Sequence, residues 1–183
     1  MTLLFLTGNE NKIREAKAII PAIEGFSVDL TEIQSIDAYE IIKHKLLEAR
    51  KIKQDELQDA LIVEDTSLYI TGANGLPGPL IKWFEKTIGL NGVKKLADLY
   101  GTQATATCLI GYSHKKEIHF FEGTVQGTIV SPRGKDGFGW DKIFVPEGYT
   151  RTFAEMTAEE KNEISMRKIA FEKLRDFLEC CIA

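Results

Sequence analysis

Cysteine is scarce: Cys108, Cys180 and Cys181 are three residues in no metal-ligand spacing, two of them adjacent. That excludes a zinc ribbon, and an odd count points to reduced thiols in a reducing, cytoplasmic compartment rather than a disulfide framework. Histidine is equally thin, and the scatter of His44, His114 and His119 disfavours a zinc centre. No apolar run approaches the ~18 residues that a membrane span needs. The first residues lack a basic leader and reach Gly8 and Asn9 too soon for a signal peptide, so they read as a first strand. A net charge of −4 gives no basic footprint for wrapping nucleic acid. There is no internal repeat, low-complexity tract or evident linker. What remains is a chain of 183 residues with 44% apolar and 27% charged content, the profile of a soluble globular domain. Its length fits a single domain over 1–183, with room for two lobes.

The stretch around which the chain is organised is residues 61–68, LIVEDTSL. It opens as a buried strand and ends in Glu64, Asp65, Thr66 and Ser67. Successive strand side chains point to opposite faces, so two carboxylates at one strand end cannot both idle unless that end is fully exposed. They are candidates for a divalent-metal ligand beside a carboxylate that activates water. A solvated strand end is the plain alternative.

Residues 2–7 read as a buried strand running into TGNENK, followed by a helix with Ile13, Ala16 and Ile20 at helical spacing. Strand, glycine turn and helix start form an anion-binding pattern, because backbone N–H groups and the helix dipole both favour negative charge. Lys12 adds a point charge; Asn9 as an ordinary helix cap is the alternative. Residues 26–30 look like a second strand, followed by Glu32, which matters only if another acid shares a metal with it. Residues 38–53 read as an amphipathic helix with Ala38, Ile42, Ala49 and Ile52 on one stripe. Lys45 interrupts that stripe, so it either snorkels or meets an anion, while His44 falls off it, toward the surface.

Two prolines and Gly78 predict a rigid turn before a helix over 80–88 carrying Lys82, Trp83 and Phe84. The two aromatics are most simply core. A second helix is expected over 92–100, then β segments over 104–112 and 117–130. The loop 131–137 leads into Phe138, Gly139 and Trp140, where two rings flank a glycine and either hold a planar base or start a core strand. Thr157 and Glu160 form a capping box for a short helix bearing Lys161, and Ser165 can cap a restart. Arg167, Ala170, Leu174, Phe177 and Cys181 then share one helical face. A guanidinium heading an apolar stripe needs a ligand acceptor or a local acid.

Phosphate-binding pattern, cations on apolar faces, three acids and two aromatics together suit a nucleotide polyphosphate with Mg²⁺. The ordered motifs Thr7-Gly8-Asn9 with Lys12, Glu64-Asp65-Thr66 with Leu68, Gly75 to Gly78, Phe138-Gly139-Trp140-Asp141, and Ala154-Glu155-Met156 with Lys161, Ser165 and Arg167 resemble the inosine triphosphate pyrophosphatase family nearly end to end. Residues 76–84 are closer to its eukaryotic-type members. The resemblance implies an α/β fold, a long mixed central sheet flanked by helices, with an active-site cleft between two lobes, and a homodimer. It implies hydrolysis of noncanonical purine nucleoside triphosphates (ITP, dITP, XTP) to monophosphate and pyrophosphate, with Mg²⁺ on Glu32 and Asp65 and water activated by Glu64 or Asp65. Thr7, Gly8, Asn9 and Lys12 would hold the triphosphate, Lys12 counting with the catalytic group. Lys45, Lys82 and Lys161 would meet phosphate or ribose oxygens, with Thr66 beside them. Phe138 and Trp140 would sandwich the purine, alongside Gly139 and Asp141, and Arg167 would read its 6-oxo group.

Three positions depart from the family's pattern. Met166 stands where His is usual, and a thioether cannot donate a hydrogen bond. Lys142 replaces a usual Pro, and Ser67 a usual Gly or Cys. A pyrophosphatase for modified pyrimidine triphosphates and a non-hydrolysing nucleotide sensor are the rival readings. The nucleotide reading carries a geometric requirement: Glu32 must lie beside Asp65, and Lys12 and Arg167 on one side of the molecule.

Overall fold

A computed structural model describes residues 2–28, 30–53, 59–115 and 117–182. Among the described residues seven strands pair in one sheet: β1 (Leu3–Leu6), β2 (Ile23–Phe26), β3 (Ala60–Ile70), β4 (Pro77–Gly78), β5 (Gln103–His114), β6 (Glu117–Ile129) and β7 (Phe144–Pro146). Their order is β2-β1-β3-β5-β6-β7, with β4 on β3. β1 runs parallel to β2 and β3, while β4 and β7 are antiparallel to their neighbours, so the sheet is mixed as expected. The helices are α1 (Glu10–Ile19), α2 (Ala38–Ile52), α3 (Ile81–Tyr100), α4 (Ala158–Ile164) and α5 (Met166–Ile182). Among the described residues no helix is long and apolar enough to cross a membrane.

The chain divides into two compact units. The first comprises Met1–Asp65, Cys108–Gly123 and Arg167–Ala183; the second comprises Thr66–Thr107 and Thr124–Met166. In the first unit, period-2 alternation sorts the strand side chains. Leu4 and Leu6 of β1, Leu61 and Val63 of β3, and Leu109 of β5 pack with Ala38, Ile42, Leu46 and Ala49 of α2. The opposite face of β1 carries Phe5, whose ring meets Phe171 of α5 edge-on at 5.6 Å. One helix stripe thus covers each face, and β3 delivers its odd-numbered residues to α2 and its even-numbered ones to the other side. In the second unit the core is aromatic around Trp140, Phe144 and Phe153, with Val93 and Ala97 of α3 also buried.

Several local expectations shift. β2 ends at Phe26 rather than spanning 26–30. Its ladder is set by pairing Leu3 with Ile23, and Val28 and Leu30 then pack on the α2 core without strand pairing. The two helices expected over 80–88 and 92–100 are both present in α3, separated by a non-helical kink at Gly89 with φ 69°. Trp83 is 47% exposed and Phe84 only half-buried, so neither is the core residue its character suggested. Ile52 is likewise exposed, at the last turn of α2, and His44 is half-buried with Nδ1 enclosed rather than lying on the surface. Residues 139–143 form a 3₁₀ turn before β7 instead of a strand start. The side chain of Cys181 lies outside the described residues.

Candidate active site

Glu64 is an even-numbered residue of β3, so it points away from α2, and its side chain is 0% exposed. There it meets Arg167, the second residue of α5. Arg167 Nε donates to Glu64 Oε2 at 2.7 Å and Nη2 to Oε1 at 2.8 Å, a bidentate pair. Lys12 Nζ lies 3.0 Å from the same Oε1. Arg167 Nη1 reaches the other way, to Glu15 of α1, itself buried. Two carboxylates therefore balance two cations inside the protein, the condition under which buried charge is tolerated. Burial alone would raise the Glu64 pKa, but Arg167 and Lys12 hold it well below the usual carboxylate range. Burial would lower the Arg167 pKa, and Glu64 and Glu15 keep it high instead.

Asp65 is odd-numbered and faces α2. Lys45 stands inside the apolar stripe of that helix and is buried. Its ammonium donates to Asp65 Oδ1 at 2.9 Å and to the Glu64 carbonyl at 3.1 Å, and lies 2.8 Å from Glu32 Oε1. Burial opposes the Lys45 charge, yet Asp65 and Glu32 outweigh it and raise its pKa. Asp65 Oδ2 is buried with no hydrogen-bond partner among the described residues. Among the described residues no three His, Cys, Asp or Glu side chains form a metal-ligating group; Glu32 and Asp65 make a pair. Two carboxylates, one with an unused oxygen, are the donor set that Mg²⁺ accepts when substrate phosphates and water complete its shell.

The geometric requirement set by the sequence is met within the first unit. Glu32 and Asp65 share Lys45, and Lys12 and Arg167 share Glu64. The glycine turn before α1 is also formed. Thr7 Oγ1 accepts the Asn9 N–H at 3.2 Å, and Asn9 Oδ1 accepts from the N–H groups of Asn11 and Lys12 at 3.0 and 3.4 Å. Asn9 is thus the helix cap, so the N–H groups of Asn11 and Lys12 are engaged, not aimed at a ligand as the anion-binding reading supposed. Among the described residues nothing lies within 4 Å of where a Cβ on Gly8 would stand, so the open approach falls at that glycine.

In the second unit, Asp141 Oδ2 accepts the Phe138 N–H at 2.9 Å and the Lys161 ammonium at 2.8 Å. The same ammonium sits over the Phe138 ring at 4.4 Å, a cation–π contact. Thr66 is half-buried and Lys82 exposed. Trp140 is only 6% exposed and meets Phe144 edge-on at 5.7 Å. Of the two rings expected to sandwich the base, Trp140 lies in the core and Phe138 has accessible surface. Lys45 and Lys161, expected on phosphate or ribose, are both buried against carboxylates. Arg167, expected to read the base, is 1% exposed and has all three nitrogens on Glu64 and Glu15.

Glu15 escaped the sequence reading. Its signal was present: it follows Lys12 by three residues in a helix, which puts both on one face. Chemically, the first unit offers an enclosed anion held by two cations and, across the strand, a carboxylate pair able to take a cation and orient water.

The sequence pattern of the Ham1 family matches residues 3–177. The inosine triphosphate pyrophosphatase of Schizosaccharomyces pombe is 42% identical over 184 residues, covering 97% of this chain and 95% of that one. Among solved structures, a HAM1 protein from Coxiella burnetii superposes with a TM-score of 0.81 at 25% identity, covering 98% of this chain and 99% of that one. A nucleoside-triphosphatase / dITP/XTP pyrophosphatase from Mycobacterium abscessus gives 0.70 at 26% identity, covering 95% and 98%. With its motifs in family order, the paired acids of β3 in place and relatives alike over nearly their whole length, the chain belongs to the Ham1 family.

Proposed function

We propose that the protein is a Mg²⁺-dependent pyrophosphatase that hydrolyses noncanonical purine nucleoside triphosphates (ITP, dITP and XTP), releasing the nucleoside monophosphate and pyrophosphate. The observation that carries this reading is the division of labour in the middle of β3, which runs on past the expected strand end to Ile70: there Glu64 is fully engaged and Asp65 keeps an oxygen without a partner among the described residues. Glu32 and Asp65 would hold Mg²⁺. Bound there, the ion would neutralise charge on phosphate oxygens. Lys12, whose side chain keeps 17% exposure, supplies a positive charge next to the open turn at Gly8 and favours the triphosphate there. Asp65 orients the attacking water and draws off its proton. The water oxygen bonds to the α-phosphorus, the bond to the bridging oxygen breaks, and pyrophosphate leaves. Glu64 is an organising anion: locked to Arg167 and Lys12 in its ionised form, it is not the proton acceptor. Phe138 offers its ring to the purine.

The test is pyrophosphate release from dITP with Mg²⁺, alongside ITP, XTP, ATP and a modified UTP. Release from dITP, ITP and XTP, lost in Asp65→Asn while nucleotide binding persists, is the expected result; preference for the modified UTP or binding without release overturns it. We further propose a cytoplasmic homodimer, for which sedimentation at micromolar concentration should give twice the 20.5 kDa chain mass.

A further inference from the structure

Discrimination between purines needs a polar group whose hydrogen bonding is completed only by the right base. Arg167 is engaged on Glu64 and Glu15, and the thioether of Met166 is buried and cannot donate. Around Phe138, Asp141 already accepts from the Phe138 N–H and from Lys161. Glu85, on α3, differs from all of these. It is half-buried, and no hydrogen-bond donor among the described residues reaches its carboxyl. Its Oε2 lies 3.6 Å from where a Cβ on Gly139 would stand, so it borders the open face of the residue next to Phe138. Gly139 has φ 59°, a conformation that strains other residues, which keeps that face bare. Burial and the nearby Asp141 carboxylate push the Glu85 pKa up, against the opposing charge of Lys86. A half-buried acceptor without a donor, beside a like charge, is an arrangement that an incoming N–H relieves.

Resting on the function proposed above, we propose that Glu85 accepts the N1–H of a 6-oxopurine stacked on Phe138 and thereby sets the preference for inosine over adenosine. In the 6-oxo lactam form N1 carries a hydrogen. In adenine N1 is a bare lone pair, which a carboxylate repels. One well-placed hydrogen bond of this kind is worth about tenfold or more in discrimination.

The experiment compares kcat/KM for ITP and ATP, by pyrophosphate release, in the wild type, Glu85→Gln and Glu85→Leu. IMP and AMP affinities by calorimetry and thermal melting accompany it. The ITP:ATP ratio should fall about tenfold in both variants. Glutamine gains ATP, because its amide N–H can face adenine N1; leucine loses ITP. The IMP:AMP affinity ratio should fall in parallel while melting stays at the wild-type value. Ratios unchanged within about twofold in both folded variants overturn the proposal. A wild type that binds IMP over AMP but releases no pyrophosphate sinks the hydrolytic reading alone, and the affinity ratio still decides Glu85. A wild type without IMP preference overturns the Glu85 assignment whatever it hydrolyses.

Discussion

Glu64 and Asp65 are adjacent on β3 and point to opposite faces of one sheet. Glu64 has no exposed side-chain surface, two cations and both oxygens occupied. Asp65 keeps 17% of its side-chain surface, shares one lysine with Glu32, and has an oxygen with no partner among the described residues. The chemistry of the side chains hardly differs; the strand's period of two assigns one to a sealed charge network and the other to an unfinished one. Under the function proposed above, the saturated carboxylate would build the site and the unsaturated one would work on what enters it.

The contrast can be broken from either side. Replacing Arg167 by Met should hurt folding most, because Glu64 and Glu15 are left buried without their counter-charge. The expected loss is about 3–5 kcal/mol by denaturant unfolding, partly recovered when Glu64→Leu is added. Unchanged stability in Arg167→Met would mean the network is not closed as described. Asp65→Asn should do the reverse: kcat falls about 10²–10⁴-fold, while stability falls less than in Arg167→Met, because Glu32 still faces Lys45.

A pH profile sharpens the difference further. The folded-state pKa of Glu64 is depressed, so its stabilisation is complete above the ordinary value of 4.5 and is lost as pH falls toward the folded value. Lys45 is raised, so its contribution is complete below 10.5 and is lost as pH climbs through the folded value. Melting followed from pH 7 to 3 should therefore decline less steeply in Glu64→Gln than in the wild type, and a parallel decline would refute the assignment. The smallest expected effect is at Phe138, where Ala should weaken nucleotide binding by about 1–3 kcal/mol at nearly constant stability. Trp140→Ala should instead cost about 3–5 kcal/mol of folding, since that ring is core.

Much of this was legible in the order of residues. Alternation in 61–68 announced two carboxylates on different faces, and Lys45 and Arg167 betrayed themselves by breaking apolar stripes. What the stripes could not show was the partner: Glu64 and Arg167 are 103 residues apart, and a ligand or a local acid would satisfy the same guanidinium equally well. Phe138 and Trp140 have the same flanking glycine and the same aromatic character, yet the 3₁₀ turn at 139–143 turns one inward. Trp83 failed for a related reason, because aromatic size predicts burial only when a neighbouring surface is available to receive it. β2 slipped toward the N-terminus because pairing with β1, a tertiary choice, overrode local alternation.

Lys45 has one further consequence. By standing between Glu32 and Asp65 it lets the polypeptide supply its own electrostatic balance where two acids would otherwise repel. Folding is therefore expected to need no ion, unlike that of small domains that wait on metal. Under the proposed Mg²⁺ requirement, chelators should abolish pyrophosphate release and leave the melting temperature unchanged.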